Sequence, residues 1–479
     1  MIKRHMVFFR AHNIFDKKFL KSILPFLIPA ILQALIDVLI NFIDSFLIGS
    51  VNTPNHTDNV SALVGVTATQ SLIFVGISVI IGAAYGCSTY AAQFFGAEKY
   101  RDLQKNNIVR LYLSVVTGLI FMIICFIFQS TLLNLFLNVD GTVGSNDNVG
   151  PIALTYAKTY AQYAFWTLPL IGVSYTLIAS YRDCKYVLPP FCSSLFVLII
   201  KFAITLPICL SNRDNPDLII NVLGISRLVS YFIIPIFLII YGYWKKYEFL
   251  PRFFIFKDNE LVKKVLIKAL PLIVNELLWT VAISSQIYSY SKLGGNRLAG
   301  AEVSFSINEL FFTFSLGLAP IVAALVGHRL GENDLKNAKR DAYRLIIFSG
   351  FVSIIIEVLI LISAFIVPRY LYSGLTTDAI SYARNMLLVL AGFYIFMVIN
   401  GVIYYILRIG GDIKSVFIVD SISTILINGL GTFLLVEFLS PYIDYDPTII
   451  YLIICASYII KTTICFYIFQ KKRWLRSLV

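Results

Sequence analysis

Residues 324–342, ALVGHRLGENDLKNAKRDA, carry an apolar helix end past a glycine, through a short charged turn and into a basic helix start. Residues 91–106, AAQFFGAEKYRDLQKN, do the same. A second pair lies between other apolar runs. YRDCKYVLPP (181–190) and LRIGGDIKSV (407–416) each begin at an arginine, Arg182 or Arg408, and turn through a tight polar loop into the next helix. Two such pairs in one order mark an internal repeat. The longest charged connection, WKKYEFLPRFFIFKDNELVKKV (244–265), falls between the copies and splits the chain almost evenly.

Composition says what is being repeated. Of the 479 residues, 58% are hydrophobic and only 14% charged, with a mean hydropathy of +0.80. A water-soluble domain of this length needs more surface charge. Runs such as SLIFVGISVIIGAAYG and LIIFSGFVSIIIEVLILISAFIV are long enough to cross a hydrocarbon core of about 30 Å as helices. About twelve spans are expected, near 23–48, 60–84, 107–137, 153–181, 187–210, 218–243, 265–291, 298–326, 342–367, 380–407, 413–438 and 447–470. The fold class is therefore all-α integral membrane, in two pseudo-symmetric six-helix bundles. Six spans separate the copies, so both halves keep one orientation, related by an axis along the membrane normal. The expected division is an interfacial segment (1–22), an N-terminal bundle (23–243), a linker (244–264), a C-terminal bundle (265–470) and a basic tail (471–479).

The net charge of +12 follows this topology rather than indicating nucleic acid. Lys and Arg crowd alternate connections: Lys3 to Lys21, then Lys99, Arg101 and Lys105, the linker, Arg329 to Arg340, and the tail KKRWLR. SVNTPNHTDN and SPYIDYDP, on the other side, have none. By the positive-inside rule both termini are expected in the cytoplasm, in a multi-pass protein of the cell membrane. No cleavable signal is evident, since residues 1–22 are charged throughout. The seven cysteines are scattered without metal or disulfide spacing, and the four histidines are ungrouped. No metal, other cofactor or enzymatic activity is expected.

The first span raises a chemical question. In QALIDVLINFIDSFLIG (33–49), Gln33, Asp37, Asn41 and Asp44 fall within an arc of about 80° on one helix face. A carboxylate at the centre of a membrane helix costs roughly 2.5–3.5 kcal/mol. It persists when paired, hydrated in a cavity or protonated, so this face looks onto a cavity and not onto lipid. A group that binds a cation from one side of the membrane and releases it to the other must be of this kind.

Taken together, ALVGHRLGENDLKNAKRDAYR, LPLIVNELLW, LRIGGDIKS and NFIDSFLIG resemble the MATE family, the multidrug and toxic compound extrusion transporters, from about residue 23 to 470. The resemblance implies a cation-coupled antiporter in which Na⁺ or H⁺ entry expels amphipathic, mostly cationic organic compounds by alternating access. It aligns Asp44 with the family's coupling aspartate and Asn41 with its accompanying asparagine, whereas Asp37 is this chain's own addition. Relatives that bind Na⁺ often carry a ligand pair in the fifth span; the corresponding positions here are Lys201 and Thr205. An ammonium at such a place favours H⁺ over Na⁺ as the coupling ion. Arg227 is a second base in the same bundle, and charge balance sets Asp37 and Asp44 against Lys201 and Arg227. In this reading Asp44 couples and Asp37 balances Lys201.

In the C-terminal bundle Glu276, Glu302, Glu309 and Asp420 are candidates to line a substrate cleft, with Lys461 a partner for an acid. Glu302 and Glu309 share a helix face with Ser306, and carboxylates there attract organic cations. The expected partners are the lipid bilayer and small organic substrates, with no nucleic acid, and the protein is expected to act as a monomer. The alternative is a flippase for a lipid-linked oligosaccharide or related lipid precursor, for which Lys201 and Arg227 suit a pyrophosphate head group.

Overall fold

The computed structural model describes residues 17–49, 56–137, 149–251, 258–293, 295–371 and 376–479. Among these residues every regular element is a helix. α1 is Lys17–Gly49 and α2 is His56–Gly86 continued by Ser88–Gly96. α3 is Tyr100–Ile127 continued by Gln129–Leu137. α4 comprises Val149–Ala164 and Thr167–Asp183, which meet at a bend of 47°. α5 (Leu188–Ser211) and α6 (Pro216–Trp244) complete the first half. α7 is Asn259–Ser291, and α8 is Gly295–Val322 extended through a π-type turn to His328–Gly331. α9 (Leu335–Leu371), α10 (Thr377–Ile409), α11 (Ile413–Ile443) and α12 (Pro447–Gln470) follow. Counting bent α4 as one span, twelve are apolar and long enough to cross a membrane.

The helix starts follow local chemistry. Asn215, Asp258, Thr376 and Asp446 each accept a hydrogen bond from a backbone N–H of the first turn, capping α6, α7, α10 and α12. Pro216 and Pro447 occupy the first helical position, where no N–H is needed. α11 departs from the regular helix expected over 413–438. It is wound largely in π-type turns, with the Ser423 and Ser440 hydroxyls bonded to the Val419 and Val436 carbonyls.

Within the first half α2 packs on α4, α3 on α4, and α5 on both α1 and α6; in the second, α10 packs on α8, α9 and α12, and α7 on α11. Between halves α1 meets α8 and α2 meets α7. These two contacts exchange under the repeat, because α7 and α8 are the second copies of α1 and α2. Glycines permit the approach. A Cβ on Gly82 or Gly86 of α2 would come within 2.8 Å of the Ile273 Cα or 2.9 Å of the Ala269 Cα of α7. Leucines, isoleucines and phenylalanines such as Ile120, Ile240, Ile355 and Ile460 remain exposed on the outer faces, where a bilayer would cover them.

The basic connections gather at one end. There Lys105 of α3 contacts Asp258, the α7 cap, at 2.7 Å, joining the start of the second half to the first. Its ammonium holds the Asp258 carboxyl below the ordinary aspartate range. A depressed folded-state pKa stabilises above the unfolded value and the effect vanishes as pH falls through the folded one. Asp258→Ala should therefore lower the thermal midpoint slightly at neutral pH, by a deficit that shrinks below about pH 4; melting curves across pH check this.

Residues 471–479 are docked rather than trailing as a free basic tail. Trp474 is fully buried, stacked 5.3 Å from Phe469 and donating to its carbonyl. Beyond it, Arg476 donates to the Gly411 carbonyl and the Leu478 N–H to Gln93 Oε1. Most of the N-terminal segment and of the linker's middle (252–257) lies outside the described residues.

Candidate functional site

α1 and α5 run parallel in a register that decides which polar groups meet. The Ser194 hydroxyl donates to Asp37 Oδ1 at 3.4 Å, and Lys201 Nζ donates to Asp44 Oδ2 at 2.7 Å. Both pairs are offset by the same 157 residues, and they sit two helical turns apart, about 10 Å along the axis. This corrects the expected balance: Lys201 neutralises Asp44, while Asp37 lies two turns away, level with a serine. Lys201 is 2% exposed and Asp44 0%, so this lysine does not reach for an interface. Asp44 Oδ1 is buried with no hydrogen-bond partner among the described residues. Arg227, buried on α6 with its guanidinium 5.9 Å from the Tyr231 ring centre, lies within electrostatic reach of Asp44. Thr205 is buried and donates to the Lys201 carbonyl, one turn back on its own helix. The side chain of Asn41 lies outside the described residues.

An ion pair this deep leans on its geometry, since removing each charge from water costs several kcal/mol. One carboxylate oxygen takes the ammonium, and the other has no hydrogen-bond partner among the described residues. The arrangement is satisfied only while Lys201 stays, which makes Asp44 a carboxylate whose partner is built into the chain.

In the second half Glu276 and Asp420 lie within electrostatic reach of each other, with different hydrogen-bond partners. Glu276 of α7 accepts from the Tyr404 hydroxyl at 3.1 Å, and Asp420 of α11 accepts from Asn275 Nδ2 at 2.8 Å. Asn275 Oδ1 in turn takes the Ser421 hydroxyl. Lys461 does not pair with Asp420; its ammonium donates to Thr424 Oγ1 at 3.3 Å. Glu302, Ser306 and Glu309 lie exposed along one face of α8. Two carboxylates on one exposed helix face do not suit lipid, so this face borders a watery space.

At the basic end the halves close on each other reciprocally. Gln93 and His328 hold equivalent places in the repeated motif, as QFFG and HRLG. Gln93 Nε2 donates to the Ile409 carbonyl at 3.0 Å, and His328 Nε2 lies 2.6 Å from the Asp183 carbonyl. Ile409 and Asp183 themselves follow the paired arginines. A carbonyl only accepts, so His328 carries its proton on Nε2. Gly96 and Gly331 complete the crossing. A Cβ on Gly96 would fall 2.1 Å from the His328 carbonyl oxygen, and one on Gly331 2.0 Å from that of Gln93.

Just inside this crossing, Arg182 and Arg408 flank Tyr85. Arg182 donates to the Tyr85 hydroxyl at 3.0 Å and to Gln33 Oε1 at 2.8 Å. The Arg408 guanidinium lies 5.7 Å from the Tyr85 ring centre. Sequence reasoning paired these arginines as marks of the repeat without assigning them a place in a site, and it passed over Arg110. That residue, fully buried on α3, bonds Asp183 at 2.5 Å and the hydroxyls of Ser88 and Ser180, tying α2, α3 and α4 together. An arginine inside an apolar span was the signal available for it.

The MatE family model matches residues 29–206 and 271–434, one segment in each half. Solved structures share the fold at low sequence identity. A MATE protein crystallised with MaL6 is 15% identical over 95% of this chain and 96% of its own, with a TM-score of 0.76. An outward-facing multidrug resistance MATE family transporter of the MOP superfamily is 16% identical, with 95% of each chain covered and a TM-score of 0.76. The eukaryotic MATE transporter AtDTX14 is 16% identical over 95% of this chain and 96% of its own, with a TM-score of 0.73. No curated protein matches the sequence. With the family model covering well over half of the chain, in two segments that follow its internal repeat, this protein belongs to the MatE family of transporters.

Proposed function

We propose that this protein is a proton-coupled antiporter of the cell membrane. It exports amphipathic organic compounds by alternating access, acting as a monomer with both termini in the cytoplasm. The observation that carries this reading is the 2.7 Å contact between Lys201 and Asp44, both sealed from solvent. The ammonium occupies the place a coupling Na⁺ would take, so Na⁺ must displace a tethered cation. A proton need not compete for that space. Protonating Asp44 breaks the pair and leaves Lys201 buried and uncompensated, a state costing several kcal/mol unless helices move to hydrate it. Proton binding is thereby linked to rearrangement of α1 against α5. Because α1 also packs on α8 of the other half, the rearrangement reaches the bundle interface. The exposed carboxylates Glu302 and Glu309 on α8 favour a cationic group on the exported compound. A lipid-precursor flippase loses one of the two bases that suited a pyrophosphate, since Lys201 is engaged by Asp44.

Proteoliposomes with pH and Na⁺ gradients imposed separately test this reading. A pH gradient should drive movement of an amphipathic dye, and Asp44→Asn should reduce it to background. Asp44-dependent transport driven by Na⁺ at fixed pH would overturn proton coupling.

A further inference from the structure

Between the halves, at the basic end, lie two guanidiniums that the coupling pair does not use. Arg182, near the end of α4, and Arg408, near the end of α10, line one small pocket with Tyr85, Asp183, Ala319 and Pro320. They are repeat equivalents, so the pseudo-symmetry delivers two guanidiniums to one place from opposite halves. Among the described residues neither makes an ion pair, and the Nε of each is buried without a hydrogen-bond partner. Of the nearby acids, Asp183 is paired with Arg110, Glu276 accepts from the Tyr404 hydroxyl to which Arg408 also donates at 3.4 Å, and Asp37 accepts from Ser194 within electrostatic reach of Arg182. A helix C-terminus favours a basic residue, but that preference asks for neither burial nor an orphaned donor.

We infer that Arg182 and Arg408 form an oxyanion subsite at the cleft floor, which takes the carboxylate or phosphate end of an amphipathic substrate. The inference rests on the transport reading above and narrows its substrate class. A guanidinium presents planar, paired N–H donors that match a carboxylate or phosphate edge. Two of them in a confined, low-dielectric pocket attract an anion and repel a cation. Tyr85 supports both: its hydroxyl accepts from Arg182, and its ring lies beside Arg408. The apolar body of the ligand would extend from the floor along Ala319 and Pro320, and a basic group, where present, lies higher on α8 towards Glu309. The exported compound then carries an acidic end at the arginines and a basic group towards Glu309, a zwitterion rather than a simple cation.

Equilibrium binding to the purified full-length protein tests this without requiring transport. The probes are a dansylated alkyl carboxylate, the alkyl phosphate of the same length and the matching alkyl amine. One or both oxyanion probes should bind at least about tenfold more tightly than the amine. Arg182→Gln and Arg408→Gln should each weaken oxyanion binding by about tenfold and leave the amine unchanged. Arg182→Lys and Arg408→Lys, which keep the charge, should retain part of the affinity and guard against a folding defect. Competition by phosphatidylglycerol in nanodiscs, lost in the Gln variants, would support the subsite and identify a lipid head group as its source. Amine binding as tight as oxyanion binding, or Gln variants that bind every probe like wild type, would overturn the proposal. Arginine-dependent binding without gradient-driven transport would leave the subsite standing and remove the antiporter reading instead.

Discussion

Lys201→Met is expected to destabilise the protein at neutral pH by about 3–5 kcal/mol, the usual cost of removing one member of a buried ion pair. The loss comes from Asp44, not from the lysine's own contacts. Its Oδ1 has no hydrogen-bond partner among the described residues, and Oδ2 loses the 2.7 Å ammonium. The carboxylate must then protonate or draw water into the bundle. Two controls separate these effects. Asp44→Asn with Lys201→Met removes both charges and should recover most of the stability, because a neutral pair of similar volume escapes the larger cost of burying a charge. The same double variant should fail to transport, having no group left to bind the proton. Thermal unfolding of the three variants in one detergent reads the first prediction, and proteoliposome flux reads the second. A single variant as stable as wild type would mean that Asp44 is already protonated and the contact is no salt bridge.

The second large effect is steric. Gly96→Val places a Cβ 2.1 Å from the His328 carbonyl oxygen and 2.6 Å from its Cα. Both are backbone atoms, so no side-chain rotation relieves the overlap, and the ends of α2 and α8 must part. The hydrogen bonds from Gln93 to Ile409 and from His328 to Asp183 are then lost together. Overpacking of this kind typically costs about 1–3 kcal/mol, here charged against the closed arrangement of the basic end rather than the fold of either bundle. Flux should fall at least about tenfold, since about 1.4 kcal/mol against one of two exchanging states shifts their ratio that far. Gly331→Val should do the same from the other side. Gly392 has nothing within 4 Å of an added Cβ; Gly392→Ala should be neutral or stabilise α10 by up to about 1 kcal/mol. Flux and melting measurements on the three variants check the contrast.

Much of this architecture is legible in the residues themselves. Repeated turns, apolar runs and alternating basic connections lead to a twelve-span protein in two related halves, and Gln33, Asp37 and Asp44 of the α1 stripe meet α5 where a cavity is expected. What one chain cannot reveal is register between helices distant in sequence. Whether Lys201 meets Asp37 or Asp44 depends on how α5 slides along α1, and a shift of two turns exchanges the partners. The same holds for Arg110 and Asp183, which meet only because α3 and α4 pack side by side. The docking of the basic C-terminal tail is hidden for a different reason. Its basic composition suggests solvent, yet one tryptophan anchors it, and its last residues bond to backbone that no local pattern marks. The π-type turns of α11 are equally silent, because apolar periodicity does not distinguish them from a regular helix.

The most direct test of the account is the distance between Glu98 and Glu332 as it responds to protons. Both are exposed just beyond the crossing glycines, and the native cysteines are buried except for half-buried Cys192. Spin labels on cysteines at these two sites, in the full-length protein reconstituted in lipid, report the gap by pulsed dipolar spectroscopy. A short distance should dominate at alkaline pH, a second and longer population should grow as the pH is lowered, and Asp44→Asn should hold one population across the range. Distances that do not change with pH in the wild type, or that change identically in Asp44→Asn, would contradict the claim that Asp44 couples proton binding to the opening of this end.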